Sequence, residues 1–305
     1  MGTAHHLQWS RVGTAHHLQR VADILVGGAH PTKLMKNKFI RPYQVFLLMT
    51  AVAALFFIWL RFPAWAFVIL SLIFVLPSLI IYVLIKLPMH PRGLSPKTLH
   101  TQGLPLDILA PVYDRYCPKI GLGQPFRQET LRQAGLKNGE HILDVGCGTG
   151  VLTRLAAKSA GPDGRAVGID PAAKMLAIAK ENAETEKSLA EFKLAVIEGL
   201  PFEKNSFDCV LSSLMLHHLP PGLKDKGLSE VFRVLKPGGR FVLVDIDKPE
   251  NPLWWVFLWP LLFWPFTKDQ MKGKINGFLS HAGFHKVNKV GNWMGFLGFW
   301  KAYKP

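Results

Sequence analysis

Cysteine is scarce in this sequence of 305 residues, which contains only Cys117, Cys147 and Cys209. Their number is odd, and no two of them form a Cys-x-x-Cys pair. Such a set argues against a disulfide framework and against a cysteine-based metal site. We therefore expect a reducing compartment and no bound metal.

Acidic residues are also few, since 21 Asp and Glu stand against 36 Lys and Arg and leave a formal net charge of +15. This excess indicates an anionic partner, either nucleic acid or a lipid headgroup surface. No basic helix, zinc-finger spacing or aromatic RNA-binding motif accompanies the charge. These absences argue against nucleic acid and favour a membrane surface.

Charge is nearly absent over residues 42–85, where Arg61 is the only charged residue. Two uncharged runs, 43–60 and 62–85, lie on either side of it. A helical span needs about twenty apolar residues, so we predict a transmembrane hairpin over 43–87. Lys and Arg flank both outer ends of the hairpin, which predicts a membrane protein with two helices and both termini in the cytoplasm.

Two other interpretations of the apolar region remain open. Met35, followed by Lys36 and Lys38, could begin a signal peptide that ends at the AWA of 64–66, although the apolar stretch is long for one. Two buried core helices would also be apolar, but nothing amphipathic marks a soluble side. Residues 1–42 contain GTAHHLQ twice without an apolar period, which predicts a disordered basic low-complexity tail.

Strand-like and helical segments alternate from residue 127 onwards, behind a Pro- and Gly-punctuated stretch over 88–126. Strands are predicted at 141–146, 165–170, 192–198, 207–213, 240–246, 285–290 and 295–303. Three helices are predicted, of which the first ends at about Ser159, the second ends at about Lys187 and the third covers 223–236. This alternation predicts an α/β fold with helices on both faces of a parallel sheet. The short turn before the last strand makes that strand antiparallel. We therefore expect a seven-stranded sheet over 127–305, with 88–126 as linker and lid.

A glycine-rich motif, DVGCGTG over 144–150, follows the first predicted strand. Glycines there let the backbone turn tightly and pass close to a ligand. Asp170, at the end of the second strand, lies where a carboxylate accepts hydrogen bonds from ribose hydroxyls. Asp144 before the loop would repel a dinucleotide's pyrophosphate, but it suits the amino group and sulfonium of S-adenosylmethionine. The pattern thus indicates an adenosine-containing cofactor, and S-adenosylmethionine in particular.

Five stretches carry a resemblance to a known family, namely ILDVGCGTG, GIDPAAKML, LPF at 200–202, FDCVLSSLMLHHL and RVLKPGGRFVLVD. In this order they resemble the successive motifs of class I S-adenosylmethionine-dependent methyltransferases. Within that class they resemble the branch of quinone C-methyltransferases and phosphatidylethanolamine N-methyltransferases. The resemblance covers about residues 110–305 and implies a Rossmann-like methyltransferase sheet.

The resemblance also implies which residues surround S-adenosylmethionine. Those expected at the cofactor are Asp144, Gly146, Cys147, Gly148, Asp170, Ile197, Glu198 and Ser212, with Ser213 beside them. Asp144 and the glycines belong to the methionine part, Asp170 to the ribose, and Ile197 with Glu198 to the adenine. Val196 departs from the family, whose members often have Asp or Asn there, so the adenine contact falls to Glu198 or to backbone groups.

Methyl transfer from a sulfonium is an in-line displacement, for which a protein mainly aligns the two reactants and excludes water. A base is needed only where the acceptor must lose a proton. His217 and His218, after the fourth strand, are the candidate bases, with a structural role for the pair as the alternative. Tyr113, in APVYDRY, is predicted to belong to a lid and is a further catalytic candidate. Asp245 and Asp247 could reach the same cleft or cap the following turn.

The stretch NPLWWVFLWPLLFWPF over 251–266 has four Trp and no charge. A single membrane crossing there would put strands of one sheet on opposite sides of the bilayer, which excludes a span. Pro260 and Pro265 also interrupt it, and the indole N–H groups find partners more readily at an interface than in a core. Plain burial in the core is the alternative, but we predict a broken, interfacial helix that lies in the headgroup region beside the cofactor cleft.

Together these inferences predict a membrane-anchored methyltransferase that acts on a membrane-resident lipid, either a quinone precursor or an aminophospholipid. The same chemistry on a soluble acceptor is one alternative, and a non-catalytic cofactor-binding membrane scaffold is another. The intact glycines with Asp144 and Asp170 argue against the scaffold, and the loop spacing argues against a Rossmann oxidoreductase. The expected partners are the bilayer and the methyl acceptor, without nucleic acid.

Overall fold

The computed structural model describes Thr101, Gly103 and residues 110–305, which all belong to one compact unit over residues 64–305. The tail and the transmembrane hairpin predicted over 1–42 and 43–87 lie outside the described residues. Within the described part, no helix is both long enough and apolar enough to cross a bilayer.

Seven strands form a single sheet. They are β1 (His141–Val145), β2 (Arg165–Asp170), β3 (Glu191–Leu194), β4 (Phe207–Ser213), β5 (Leu235–Ile246), β6 (His285–Trp293) and β7 (Leu297–Tyr303). Their order across the sheet is β3-β2-β1-β4-β5-β7-β6. β7 is antiparallel to both of its neighbours, and the other pairs are parallel. The predicted seven-stranded α/β sheet with an antiparallel last strand is therefore confirmed.

Eight helices occur among residues 110–305. They are α1 (Ala110–Tyr116), α2 (Gln124–Ala134), α3 (Val151–Ala160), α4 (Ala173–Thr185), α5 (Pro221–Val234), α6 (Pro252–Leu258), α7 (Lys268–Met271) and α8 (Ile275–His281). Short 3-10 turns lie at Cys117–Ile120, Ile197–Gly199, Leu216–His218 and Trp259–Leu262.

The central strands are continuous apolar runs because helices cover both faces of the sheet. Ile142 of β1 packs in a cluster with residues of α2 and α3. The next residue, Leu143, points to the other face, into a larger cluster with residues of α5 and α8. Both side chains have 0% exposure. The core thus lies in two layers, and the carboxyl ends of the parallel strands remain available for a site.

The segment predicted as a strand over 192–198 is divided. β3 ends at Leu194, and Ile197–Gly199 form a 3-10 turn. The turn carries the Ile197 side chain into the core, where it lies against Gly227 of α5. Burial of one isoleucine against a glycine of a distant helix is a tertiary contact, so the local apolar pattern could not reveal the turn.

The helix predicted over 223–236 ends two residues earlier in the structure. α5 ends at Val234, and β5 begins at Leu235, whose backbone is already extended. Leu235 has 0% exposure and pairs with Phe207 of β4. The sheet contact ends the helix before the Pro-Gly-Gly sequence that was expected to do so.

Candidate active site

A cleft lies where β1, β2 and β4 end, and it holds about 700 Å³ of empty space, part of it open to solvent. The sequence-predicted site residues that line it are Tyr113, Gly146, Gly148, Asp170, Ile197, Glu198, Ser213 and His218. The structure thus brings together residues that lie up to about a hundred positions apart in the chain.

The glycine loop crosses the end of β2, because the N–H groups of Gly146 and Cys147 both donate to the carbonyl of Ile169. Gly146 and Gly148 have φ of +77° and +55°, in the left-handed region that favours glycine. A Cβ on Gly146 would lie 2.4 Å from Cγ of Met215, whereas a Cβ on Gly148 would meet nothing within 4 Å. Gly146 is therefore required by packing, and Gly148 leaves room on the side of the cleft.

Asp170 fixes the loop to the end of β2. Its Oδ2 accepts from the N–H of Gly148 at 2.9 Å, and its Oδ1 accepts from the N–H of Ala172 at 2.8 Å. The side chain lines the cleft and is nearly buried. A carboxylate held at this point is placed to accept further hydrogen bonds from ligand hydroxyl groups.

Three predicted cofactor residues are not among those that line the cleft, two of them buried and the third, Cys147, partly exposed. Asp144 is buried, and its Oδ2 accepts from the hydroxyl of Thr153 at 2.6 Å. Burial raises the pKa of Asp144 to about 6. Cys147 packs towards β2 and α4, where burial raises the pKa of its thiol well above the ordinary range. Ser212 has 0% exposure, and Ser213 borders the cleft instead.

The end of the cleft predicted for adenine contains an unsatisfied acceptor. Oε1 of Glu198 accepts from the hydroxyl of Thr101 at 2.9 Å. Oε2 of Glu198 is buried and has no hydrogen-bond partner within the described part of the chain. A buried acceptor without a partner costs about 1–3 kcal/mol, so this oxygen suits a ligand with an N–H or O–H donor. The geometry fits the nucleoside half of S-adenosylmethionine.

The opposite end of the cleft is built from the residues that follow β4. The Ser213 hydroxyl is buried without a partner among the described residues. Leu214 has φ of +57°, which is uncommon for a bulky residue. This backbone conformation turns the chain sharply into the Leu216–His218 turn. The turn thereby places His218 in the wall of the cleft and His217 next to it, outside the residues that line the cleft.

His217 forms a close pair with Asp245 of β5. Nδ1 of His217 lies 2.7 Å from Oδ1 of Asp245, which has 0% exposure. Burial alone raises the pKa of Asp245, but the charge and hydrogen bond of His217 outweigh it and lower that pKa below its ordinary value. An ionised Asp245 requires a proton on Nδ1 of His217, so that Nε2 is the accepting nitrogen whenever the ring is neutral.

His218 differs from its neighbour. It borders the cleft, and its ring centroid lies 4.1 Å from that of His217. Burial, and then the adjacent His217, lower the pKa of His218 to about 3. His218 is therefore neutral at physiological pH and holds no proton that it could exchange as an imidazolium.

The helix α1, which belongs to the segment predicted as linker and lid, borders the cleft through Tyr113. Oδ1 of Asp114 accepts from the hydroxyl of Thr149 in the glycine loop at 2.7 Å. Tyr113 lines the cleft, and burial raises its pKa to about 12, followed by a smaller effect of Cys117. The Tyr113 phenol therefore stays protonated near pH 7 and can donate a hydrogen bond, but it cannot act as a base there.

Sequence reasoning missed Thr101, Lys224 and Gln270, which the structure brings to the site or its support. Nothing in the local sequence marks Thr101, because its partner Glu198 is 97 positions away. Lys224 could have been found, since it precedes Leu228 and Val231 by four and seven residues on the buried face of α5. A lysine at a core position of an amphipathic helix signals a buried partner.

The strand order, the glycine loop after β1 and the acid that ends β2 define a nucleoside-binding α/β fold, and the comparisons agree. The Methyltransferase domain family matches residues 142–239. A demethylmenaquinone methyltransferase of Lactiplantibacillus plantarum is 37% identical over 174 residues, which cover 55% of this chain and 70% of the relative. An uncharacterized methyltransferase of Synechocystis is 35% identical over 173 residues, 56% of this chain and 78% of the relative.

Among solved structures, the [4+2]-cyclase SpnF shares the fold, with a TM-score of 0.51 at 18% identity over 65% of this chain and 93% of that one. The chain belongs to the class I S-adenosylmethionine-dependent methyltransferases. Its cofactor is S-adenosylmethionine, as the sequence predicted. This assignment excludes the two alternatives considered from the sequence, a Rossmann oxidoreductase and a non-catalytic scaffold.

Proposed function

We propose that this enzyme methylates a ring carbon of a membrane-resident quinone precursor in its reduced, phenolic form. One observation carries the proposal: the His217–Asp245 pair lies beside the cleft in a chain whose relatives include demethylmenaquinone methyltransferases. A phenolic acceptor must lose a proton when its ring carbon attacks a methyl group. A base is therefore what this acceptor needs.

When bound, S-adenosylmethionine supplies a methyl group on a sulfonium. His217 takes the phenolic proton at Nε2 as the ring carbon gains the methyl group, while its Nδ1–H donates to Asp245. The methylated carbon then loses its own hydrogen as a proton, and the phenolic hydroxyl is restored. The buried Asp245 carboxylate stabilises the imidazolium that forms and keeps the ring in one orientation. His218, neutral and partly exposed at the cleft, forms part of the wall against which the acceptor would lie.

The cofactor would be held by three features of this chain. Asp170 would accept from the ribose hydroxyls, Oε2 of Glu198 would accept from the adenine amino group, and Gly148 would let the ligand approach the backbone. The lid contact between Asp114 and Thr149 covers the glycine loop and helps to exclude water from the reaction.

An exposed apolar face supports the proposal that the acceptor is reached from a bilayer. Leu253, Phe257 and Phe263 of the 251–266 segment are 62%, 41% and 70% exposed. Met294, 40% exposed, lies in contact with Gly121, and the adjacent Ile120 is 59% exposed. The two groups adjoin, since Trp254 lies against Gly295 and Phe296, and exposed apolar surface of this kind marks membrane or partner contacts. The chain's excess of positive charge suits an anionic headgroup surface.

We accordingly propose that the catalytic domain lies on the cytoplasmic face of a membrane, with the 251–266 segment among the headgroups. The depth of its indoles can be measured by quenching of Trp fluorescence with lipids brominated at known positions. Quenching by shallow labels is expected. Quenching only at the bilayer centre, or none by any label, would contradict this placement.

The acceptor can be identified by giving the full chain, in vesicles, methyl-labelled S-adenosylmethionine and one of three acceptors. These are a reduced demethylmenaquinone, phosphatidylethanolamine, and a tail-less naphthoquinol. We expect label in the first. Label only in the phospholipid, or only in the soluble quinol, would refute the proposal, and Asp170→Ala serves as the control without cofactor binding.

The base is tested in the same assay by replacing each histidine separately. His217→Asn should lower kcat by about 10²–10⁴-fold, with little change in the affinity for S-adenosylmethionine. His218→Asn should have a smaller effect, since His218 holds no exchangeable proton at neutral pH. Equal losses in the two variants would argue against the assignment of the base to His217.

A further inference from the structure

A lysine is buried next to the active-site pair and has no place in the mechanism described so far. Lys224 of α5 has 1% exposure. Its ammonium donates to the carbonyl of Phe266 and to Oε1 of Gln270, the latter at 2.8 Å. Lysines are almost never fully buried unless they are paired. The partners of Lys224 therefore indicate why it is there.

Gln270 of α7 connects this lysine to the active site. The residue has 0% exposure, and its Nε2 donates to Oδ1 of Asp245 at 3.1 Å and to the carbonyl of Ile246 at 3.2 Å. The same Oδ1 of Asp245 accepts from Nδ1 of His217 at 2.7 Å. Hydrogen bonds thus run without interruption from Lys224 through Gln270 and Asp245 to His217.

The chemistry of these groups gives the network one direction. An ammonium can only donate, so the Gln270 amide must turn its oxygen to Lys224 and its NH₂ to Asp245. Asp245 must then accept on that side as well as from the N–H groups of Leu216 and Ile246. An acceptor in this setting requires a donor from His217, which is the Nδ1–H tautomer.

We propose that Lys224 and Gln270 are positioning residues that hold Asp245 and the Nδ1–H tautomer of His217, and so keep Nε2 of His217 ready to accept a proton. The inference rests on the proposed function in that His217 acts there as the base. Through the carbonyl of Phe266, the same lysine also ties the end of the 251–266 segment to this network.

The charges around Lys224 keep the network formed at neutral pH. Burial lowers the pKa of Lys224 to about 8, against the opposing charges of Asp245 of β5, Asp269 of α7 and Asp225 of its own helix. The ring of Phe278 lies 5.6 Å from the ammonium. His217 in turn faces Asp245 and His218. The lysine is therefore mostly protonated at pH 7 and able to donate.

Two variants remove the network without touching the cleft. Lys224→Met keeps the length of the side chain but cannot donate, and Gln270→Met removes both the donor and the acceptor. Thr130→Val is the matched control, because Thr130 is equally buried and donates only to the carbonyl of Phe126, four residues earlier in α2. All variants are prepared as full chains in detergent, with folding checked by circular dichroism and cofactor affinity.

Kinetics give the first readout. We expect kcat to fall at least tenfold in Lys224→Met and Gln270→Met, with KM for S-adenosylmethionine within about twofold, and no change in Thr130→Val. In a His217→Asn background, Lys224→Met should lower kcat no further, because its effect passes through His217. Equal losses in both backgrounds would overturn the proposal and mean that Lys224 only stabilises the fold.

The second readout does not depend on the acceptor. Ring nitrogens labelled with ¹⁵N report the tautomer of each histidine, and His217→Asn identifies the signal of His217. The parent should show the Nδ1–H form, and Gln270→Met should show a mixture of tautomers. An unchanged tautomer would refute the positioning role. A changed tautomer with full activity in His217→Asn would instead retain the positioning role and refute His217 as the base.

Discussion

Asp144 gives the folded enzyme a pH dependence whose sign and size follow from its surroundings. Burial raises its pKa from an ordinary 3.8 to about 6, Asp170 adds to the rise, and the Thr153 hydroxyl and Arg127 oppose it. The native chain therefore binds a proton more tightly than the unfolded chain does. The stability linked to this proton is fully present below about pH 3.8 and is lost as the pH rises through about 6.

The size of the effect follows from the difference between the two states. One pH unit corresponds to about 1.4 kcal/mol, so ionised Asp144 costs up to about 3 kcal/mol at pH 7. Asn at this position carries no charge, and its Oδ1 can still accept from the Thr153 hydroxyl. We expect Asp144→Asn to be more stable than the parent by up to about 3 kcal/mol at pH 7 and nearly equal to it at pH 4.

Urea unfolding of the cofactor-free full chain, followed by Trp fluorescence between pH 4 and 7.5, measures this difference. Other titrating groups cancel when variant and parent are compared at each pH. Asp208→Asn is a control of opposite sign. Burial raises the pKa of Asp208, but the Lys236 and His141 contacts outweigh it and lower the pKa, so that variant should lose stability above about pH 4. A parent-to-variant difference for Asp144→Asn that stays constant with pH would refute the reasoning.

Other changes separate folding from cofactor binding. Gly148→Ala should weaken S-adenosylmethionine binding at least tenfold by calorimetry. It should lower the free energy of unfolding in urea by only about 1 kcal/mol, because its methyl group enters only the cleft. Gly146→Ala should lose both cofactor affinity and stability, since its methyl group would meet Met215. Arg240→Ala leaves Glu140 without its two-pronged partner and should cost about 2–4 kcal/mol with unchanged cofactor affinity. His218→Asn should leave the kcat–pH profile above pH 5 unchanged in shape, because the pKa of His218 lies near 3.

The sheet could be predicted because its signals are local. The strands at 165–170 and 207–213 were predicted with the bounds that the structure has, since both are apolar runs between turn residues. Gly148 and Asp170 were placed in the cleft for the same reason, because Gly148 lies in the tight turn after a strand and Asp170 is the last residue of a strand. Where the local pattern of apolar residues determines a strand or a turn, the sequence was sufficient to predict it.

Elements that depend on distant contacts could not be predicted. Asp144 was predicted to contact the cofactor, but the hydroxyl of Thr153 on α3, which donates to its carboxylate, was not foreseen. The Asp245 carboxylate was placed near the cleft without a defined partner, and only the fold brings His217 and Gln270 to it. These two contacts of Asp245 join residues that are 25 or more positions apart in the chain, and no local pattern records them.

The position of β7 in the sheet constrains how this domain folds. β6 pairs only with β7 among the described strands, and β7 in turn pairs with β5. β6 therefore cannot join the sheet before β7 does, although β6 precedes β7 in the chain and is synthesised first. The two strands should form as a hairpin and dock onto β5 as one unit. Amide hydrogen exchange should then protect β6 and β7 together, and the open edge of β5 should be the surface most exposed to mispairing in the partly folded chain.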